Sequence, residues 1–116
     1  EKLEGLTLES DGETLNVETN ALFIFIGASP ATEWLGDLIM TDERGFICTG
    51  PDTKQGEKWP ESWTLEREPL LLETSVPGIF AAGDVRSGSV KRVASAVGEG
   101  SISVQFIHQY LADVGA

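Results

Sequence analysis

The hydrophobic period changes within a few residues of Asp84, and that change constrains the fold more than any other feature of the chain. Residues 79–82, Ile-Phe-Ala-Ala, form a short apolar run closed by Gly83, as expected of a buried strand. Beyond Ser87 and Ser89, either of which suits a helix N-cap, apolar side chains recur at three- and four-residue steps: Val90, Val93, Ala94, Val97, Val104, Ile107 and Leu111. A long helix reaching about Leu111 is predicted, roughly 30 Å in length. A parallel strand that feeds a helix leaves its carboxyl end at a crevice, which is where open α/β sheets take their ligands. The expected class is α/β.

Gly83 and Asp84 stand at that junction. A glycine lets a ligand approach the backbone with no Cβ in the way, and an aspartate offers an acceptor to sugar-like hydroxyls. The helix start adds unpaired N–H groups and a positive dipole end, suited to a carbonyl oxygen or an anion. The carboxylate is therefore either a structural cap or a ligand contact. Arg86, Lys91 and Arg92 place three of the eight basic residues next to it. A helix expected to begin near Ser89 puts Lys91 and Arg92 in its first turn, where the macrodipole disfavours cations. Either an anionic or electron-rich group compensates, or both side chains extend into water at a cost of a few tenths of a kcal/mol.

Upstream, Leu6 and Leu8 before Asp11-Gly12, with Leu15 and Val17 after it, give a hairpin over residues 3–9 and 13–18. Residues 22–26, Leu-Phe-Ile-Phe-Ile, are continuously apolar and end at Gly27 and Pro30, the pattern of a strand buried on both faces. A short helix is expected around residues 34–38, and short strands over 45–50 and 70–72. Val76-Pro77-Gly78-Ile79 fits a type II turn. Residues 51–67 read as a surface excursion pinned back by Trp59 and Trp63, with a lid or partner contact as the functional alternative.

Composition removes several classes. The 116 residues suffice for one small domain with a modest core. The chain opens on Glu1 within what reads as a strand, so a fragment or processed product is expected. A net charge of −11 argues against nucleic acid and anionic membrane as partners, and no apolar run approaches the ~20 residues of a membrane helix. A soluble, cytoplasmic protein is expected. Cys48 is the single cysteine, which leaves no internal disulfide, CxxC pair or zinc cluster, and its place in an apolar strand predicts an inert buried thiol. His108, near the end of the helix, reads as structural. Gly98-Glu99-Gly100 imitates part of a dinucleotide fingerprint, but it falls inside the helix rather than at its start. Its small residues are expected to allow close packing on a sheet.

Residues 74–101, TSVPGIFAAGDVRSGSVKRVASAVGEGS, resemble the C-terminal FAD-binding segment of the low-molecular-weight thioredoxin reductase family. ALFIFIGASPAT, residues 21–32, resembles the crossover by which that family's chain leaves its NADPH-binding domain. The likeness covers nearly the whole chain, and residues 51–67 read as an insertion against shorter members. It implies the C-terminal portion of a Rossmann-like, three-layer FAD/NAD(P)-binding fold. Residues 1–33 would be strands of the NADPH-binding domain and the crossover, and 34–116 part of the FAD-binding domain. It further implies that Asp84 accepts from a ribityl hydroxyl of FAD with Gly83 packed close by. Backbone N–H groups of Arg92 and Val93 would face the pyrimidine edge of the flavin. The reductases carry Arg-Gln-Ala at the positions of Lys91, Arg92 and Val93, so the glutamine-type side-chain contact does not transfer. The family's FAD and NADPH glycine motifs and its CxxC are expected upstream of Glu1.

Two functions follow. The first is part of an FAD-dependent oxidoreductase passing electrons from NADPH to a disulfide or another acceptor, thioredoxin-like or otherwise, within a homodimer. On that reading the isolated chain holds FAD weakly or not at all and is inactive by itself. The second is a non-catalytic interaction or dimerisation module derived from the same fold.

Overall fold

A computed structural model describes residues 2–115. Strands β1 (Gly5–Ser10) and β2 (Glu13–Glu18) form the expected antiparallel hairpin, with Leu6 opposite Val17 and Leu8 opposite Leu15. Its tight turn needs positive φ at both central residues, and Asp11 and Gly12 supply it at 52° and 81°. On the other face the Thr7 hydroxyl donates to Asn16 Oδ1 at 2.8 Å. The apolar face lies open, with Leu8 and Leu15 both at least half exposed.

Residues 22–26 are the first correction. The segment forms no strand, and Phe25 and Ile26 are 90% and 89% exposed. Phe23 and Phe25 stack with centroids 6.3 Å apart, as side chains two apart on an extended segment do. A strand buried on both faces needs ladder partners and two covering layers, and among the described residues β1 and β2 pair only with each other. Strand propensity without a partner gives an extended arm. The arm and hairpin raise the radius of gyration to 20.3 Å, against roughly 13 Å for a compact chain of this length.

The packed body spans residues 32–92. Its core joins Leu35, Ile39, Ile47 and Ala81, with Val76 and Val85 against them. The helix expected at 34–38 reduces to a 3₁₀ turn, Glu33–Leu35, that buries Leu35 and leaves Trp34 exposed. The strand expected over 45–50 reduces to bridges at Ile47, antiparallel to Thr41 and parallel to Arg86. Ile47 N–H donates to Val85 O at 2.9 Å, and Ser87 N–H donates to Ile47 O at 2.8 Å. The strands expected at 70–72 and 79–82 likewise shrink to a single bridge, Glu73 with Phe80. Between them lies the type II turn: Gly78 has φ 79°, and Ile79 N–H donates to Val76 O at 3.2 Å.

Trp63 anchors the 51–67 excursion, buried and donating through Nε1 to Arg67 O at 2.8 Å. Arg67 then forks onto the fully buried Glu73 at 2.7 and 3.1 Å, and its Nε donates to Asp113 at 2.8 Å. Glu73 also accepts N–H groups of Leu70 and Gly78, both at 2.9 Å. Burial pushes its carboxyl pKa up, but the guanidinium and the two amides outweigh that and leave it below the ordinary value.

Helix α1 (Val93–Val114) starts later than Ser87 or Ser89 allows, with Arg92 as N-cap and no capping side chain. Ser89 Oγ instead accepts from Lys91. Gly115, at φ 73°, closes the far end by donating to the carbonyls of Leu111 and Ala112. No residue of α1 is buried, so its apolar stripe, from Val93 to Leu111, faces outward rather than onto a sheet. The close packing expected of Gly98 and Gly100 is absent, since a Cβ on either meets nothing within 4 Å. The helix is held instead by Ala96 against Gly83, by Tyr110 against Gly78, and by an edge contact of Tyr110 with Phe80 at 6.4 Å.

Candidate functional site

Gly83 and Asp84 begin a 3₁₀ turn, Gly83–Val85, that leads out of the core. Gly83 is buried with φ 78°, and a Cβ there would lie 3.1 Å from Ala96 Cβ, so backbone conformation and packing both demand glycine. Its N–H donates to Glu99 Oε2 at 2.7 Å. The next side chain, Asp84, is exposed and lines a cavity of about 400 Å3. Among the described residues its carboxylate has no hydrogen-bond or ion-pair partner. Lys91 and Phe46 form another part of the wall, with Gly27 and Ala28 of the extended arm, and Gly88 and Ser89.

The basic residues are arranged differently from the expectation. Lys91 precedes the helix and curls back, donating through Nζ to Asp84 O at 2.7 Å, to Ser89 Oγ at 2.9 Å and to Arg86 O at 3.3 Å. The same ammonium sits 4.0 Å from the centroid of the Phe46 ring. Its electron-rich neighbours are therefore carbonyls and an aromatic face, which need no anion. Arg86 is paired with Glu99. Arg92 is exposed, and its N–H donates to Val90 O at 2.7 Å rather than pointing free. Val93 is 83% exposed, and among the described residues its N–H has no backbone acceptor, as the first helical position dictates. Asp84 and Lys91 thus meet at the cavity, whereas Gly83 lies buried against Ala96 behind Asp84, and Arg92 and Val93 stand at the helix start; none of these three lines it.

Asp42 is the part of the wall that sequence reasoning missed. Its Oδ1 accepts the N–H groups of Arg44 and Phe46 at 2.9 and 3.0 Å, and Oδ2 accepts the Ser87 hydroxyl at 2.7 Å. Desolvation raises its pKa, and the Ser87, Phe46 and Arg44 donors more than reverse that. This Asx turn presents Phe46 and ties the 42–46 turn to the loop after Asp84. The signal was present in Asp42-Glu-Arg-Gly45, a turn pattern. Cys48 lies behind this wall, buried, with its pKa pushed up by desolvation and then by Asp42 and Asp52, so the thiol stays protonated.

A carboxylate without a partner among the described residues thus stands at a cavity, beside a glycine that tolerates no side chain. The family model for pyridine nucleotide-disulphide oxidoreductases matches residues 1–100. The chain belongs to this family. Relatives of this pyridine nucleotide-disulphide oxidoreductase chain include thioredoxin reductase of Bacillus subtilis (strain 168), 32% identical over 103 residues, covering 89% of the chain and 27% of that protein. Mitochondrial thioredoxin reductase 1 of Arabidopsis thaliana is 30% identical, covering 90% of the chain and 23% of that protein. The crystal structure of thioredoxin reductase from Streptococcus pyogenes MGAS5005 superposes with TM-score 0.59 at 30% identity, over 97% of the chain and 31% of that structure. The Lactococcus lactis enzyme gives the same TM-score at 29% identity, over 89% and 28%. The chain spans under a third of each relative's length. Its architecture is an α/β fold of this superfamily. Among the described residues no helix is long and apolar enough to cross a membrane.

Proposed function

We propose that the chain supplies one wall of the flavin site of an FAD-dependent oxidoreductase, with residues 1–33 belonging to the NADPH-binding side and 34–116 to the FAD-binding side of a Rossmann-like, three-layer fold. The observation that carries this is the unpartnered Asp84 carboxylate at the cavity, set there by a glycine whose Cβ would strike Ala96. The cavity's 400 Å3 lies within the span of small-molecule sites. It suits a ring system with a polyol chain better than a whole dinucleotide, so the residues fit the flavin and ribityl part of FAD. Asp84 accepts from a ribityl hydroxyl, and Gly83 keeps the backbone close to it. The Val93 N–H is available to a carbonyl at the ring edge, whereas the Arg92 N–H must first leave Val90 O. Lys91 acts through its hold on the Asp84 carbonyl rather than as a free cation.

When bound, FAD supplies two-electron chemistry between NADPH and a disulfide or other acceptor. A thioredoxin-like acceptor and a homodimeric, cytoplasmic enzyme complete the reading. Fluorescence titration of the 116-residue chain with FAD tests it. Weak saturable binding, with Kd on the order of 0.1–1 mM, is expected, and Asp84→Ala should weaken it about tenfold. An Asp84→Ala variant that binds as well, or a whole protein that takes up no flavin, overturns it.

A second reading, an interaction or dimerisation module, is favoured by a different observation: the exposed residues 22–26 and the uncovered stripe of α1. Sedimentation of the flavin-free chain separates the two, because a stable monomer removes the module reading.

A further inference from the structure

We infer that Glu99 is a positioning residue: its carboxylate clamps both ends of the turn that carries Asp84, and so aims the Asp84 side chain into the cavity. This rests on the reading of that cavity as a ligand site. Glu99 Oε2 accepts the N–H of Gly83, the residue before Asp84, at 2.7 Å. The same oxygen accepts Nε of Arg86, two residues after Asp84, at 3.2 Å, and the other oxygen accepts the second arm of the guanidinium. Between those ends the turn is closed by a single backbone bond, Arg86 N–H to Gly83 O at 3.1 Å.

The helix face is specific to this task. Ala96, one turn before Glu99 on the same face of α1, abuts Gly83, while a Cβ added at Gly98 or Gly100, on either side of Glu99, would meet no other part of the chain within 4 Å. One side chain therefore fixes the position of the turn and another its orientation. The glutamate that resembled a stray piece of a dinucleotide fingerprint is the link between α1 and the site. Arg86 and Glu99 are both about five-sixths buried, each with 16% of the side chain exposed, so solvent competes little for the clamp. A charge-assisted acceptor on a backbone N–H is among the stronger ways to hold a loop.

The test is a double-mutant cycle on the full chain with riboflavin as the probe, read beside amide NMR spectra. Glu99→Ala should weaken riboflavin binding about tenfold and move the amides of Gly83, Asp84 and Val85 while those of Leu72 and Thr74 stay. Because Glu99 acts through Asp84, Glu99→Ala combined with Asp84→Ala should bind no worse than Asp84→Ala alone. Glu99→Gln keeps an acceptor for Gly83 and should restore most of the affinity. If Glu99→Ala is too unstable to fold, Glu99→Asp keeps the charge but draws it back by one methylene, and should lose the Gly83 amide shift and the affinity together. Losses that multiply in the double variant, or unmoved amides at 83–85, overturn the inference. If the unaltered chain binds no riboflavin, the cavity of this chain does not suffice as a flavin site by itself, and the amide shifts alone decide whether Glu99 sets the turn.

Discussion

Glu73 and Glu99 each take an arginine and a glycine amide, and they serve opposite ends of helix α1. At the far end Glu73 has no exposed surface, and it collects the Arg67 fork with the amides of Leu70 and Gly78. Arg67 in turn lies over the rings of Trp63 and Tyr110, at 5.5 and 6.0 Å. At the near end Glu99 keeps some exposure and collects only Arg86 and the amide of Gly83. The chemistry is shared but the surroundings differ. A fully enclosed carboxylate left without its partners costs several kcal/mol, whereas Glu99, with 16% of its side chain at the surface, lets its partners regain some hydration when it is removed and can still fix geometry. The Glu73 cluster fastens the excursion, the 76–79 turn and α1 to one another, and the Glu99 cluster orients.

Removing one partner of the enclosed cluster should have the largest effect. Glu73→Ala is expected to lose about 3 kcal/mol in urea unfolding, against about 1 kcal/mol for Glu99→Ala. Equal losses would erase the distinction. Gly78→Ala comes next. Its φ is 79°, and the new Cβ would fall 2.6–2.8 Å from atoms of the Tyr110 ring, so a loss of about 2 kcal/mol is expected.

Acid sharpens the same contrast. Glu73 has a folded pKa below its ordinary value of 4.5, so the unfolded chain binds more protons in the interval between the two values. Its contribution is complete above the unfolded pKa and is lost as pH falls through the folded one. Thermal unfolding followed by circular dichroism should therefore show stability falling below about pH 4.5, with a shallower fall in Glu73→Gln than in the unaltered chain. The smallest effect is expected of Asp113→Asn. Its contact with Arg67 is partly exposed, and a carboxylate in the last turn opposes the helix dipole, so unfolding should move by no more than about 0.5 kcal/mol.

Local chemistry was legible in the sequence wherever it was decided locally. Asp11-Gly12 announced the hairpin, Pro77-Gly78 the type II turn, and Trp63 the anchor of residues 51–67. Gly83 and Asp84 stood out because a glycine and a carboxylate closing an apolar run have few reasons to coincide, and the structure puts Asp84 at the cavity with Gly83 buried behind it. What failed was decided at a distance. The serines before α1 have the right chemistry for a cap, but Ser89 is engaged by Lys91 and Ser87 by Asp42, so the helix starts at Val93. Asp42 and Phe46 join the cavity through contacts some forty residues apart in the chain. Glu99 was hidden by its own neighbours, since two flanking glycines suggested a motif where the functional atom is the carboxylate between them.

The uncovered arm has a practical consequence. Residues 21–32 carry no charge, and at their centre five β-prone side chains stand in water with unsatisfied backbone edges. Such a segment recruits copies of itself into cross-β stacks. Gly27 and Pro30 interrupt it on one side, and the charges of Glu18 and Glu33 flank it at a distance. Concentrating the purified chain will therefore be limited by fibrillar precipitation seeded at this segment, well before its acidic surface loses its grip on solvent.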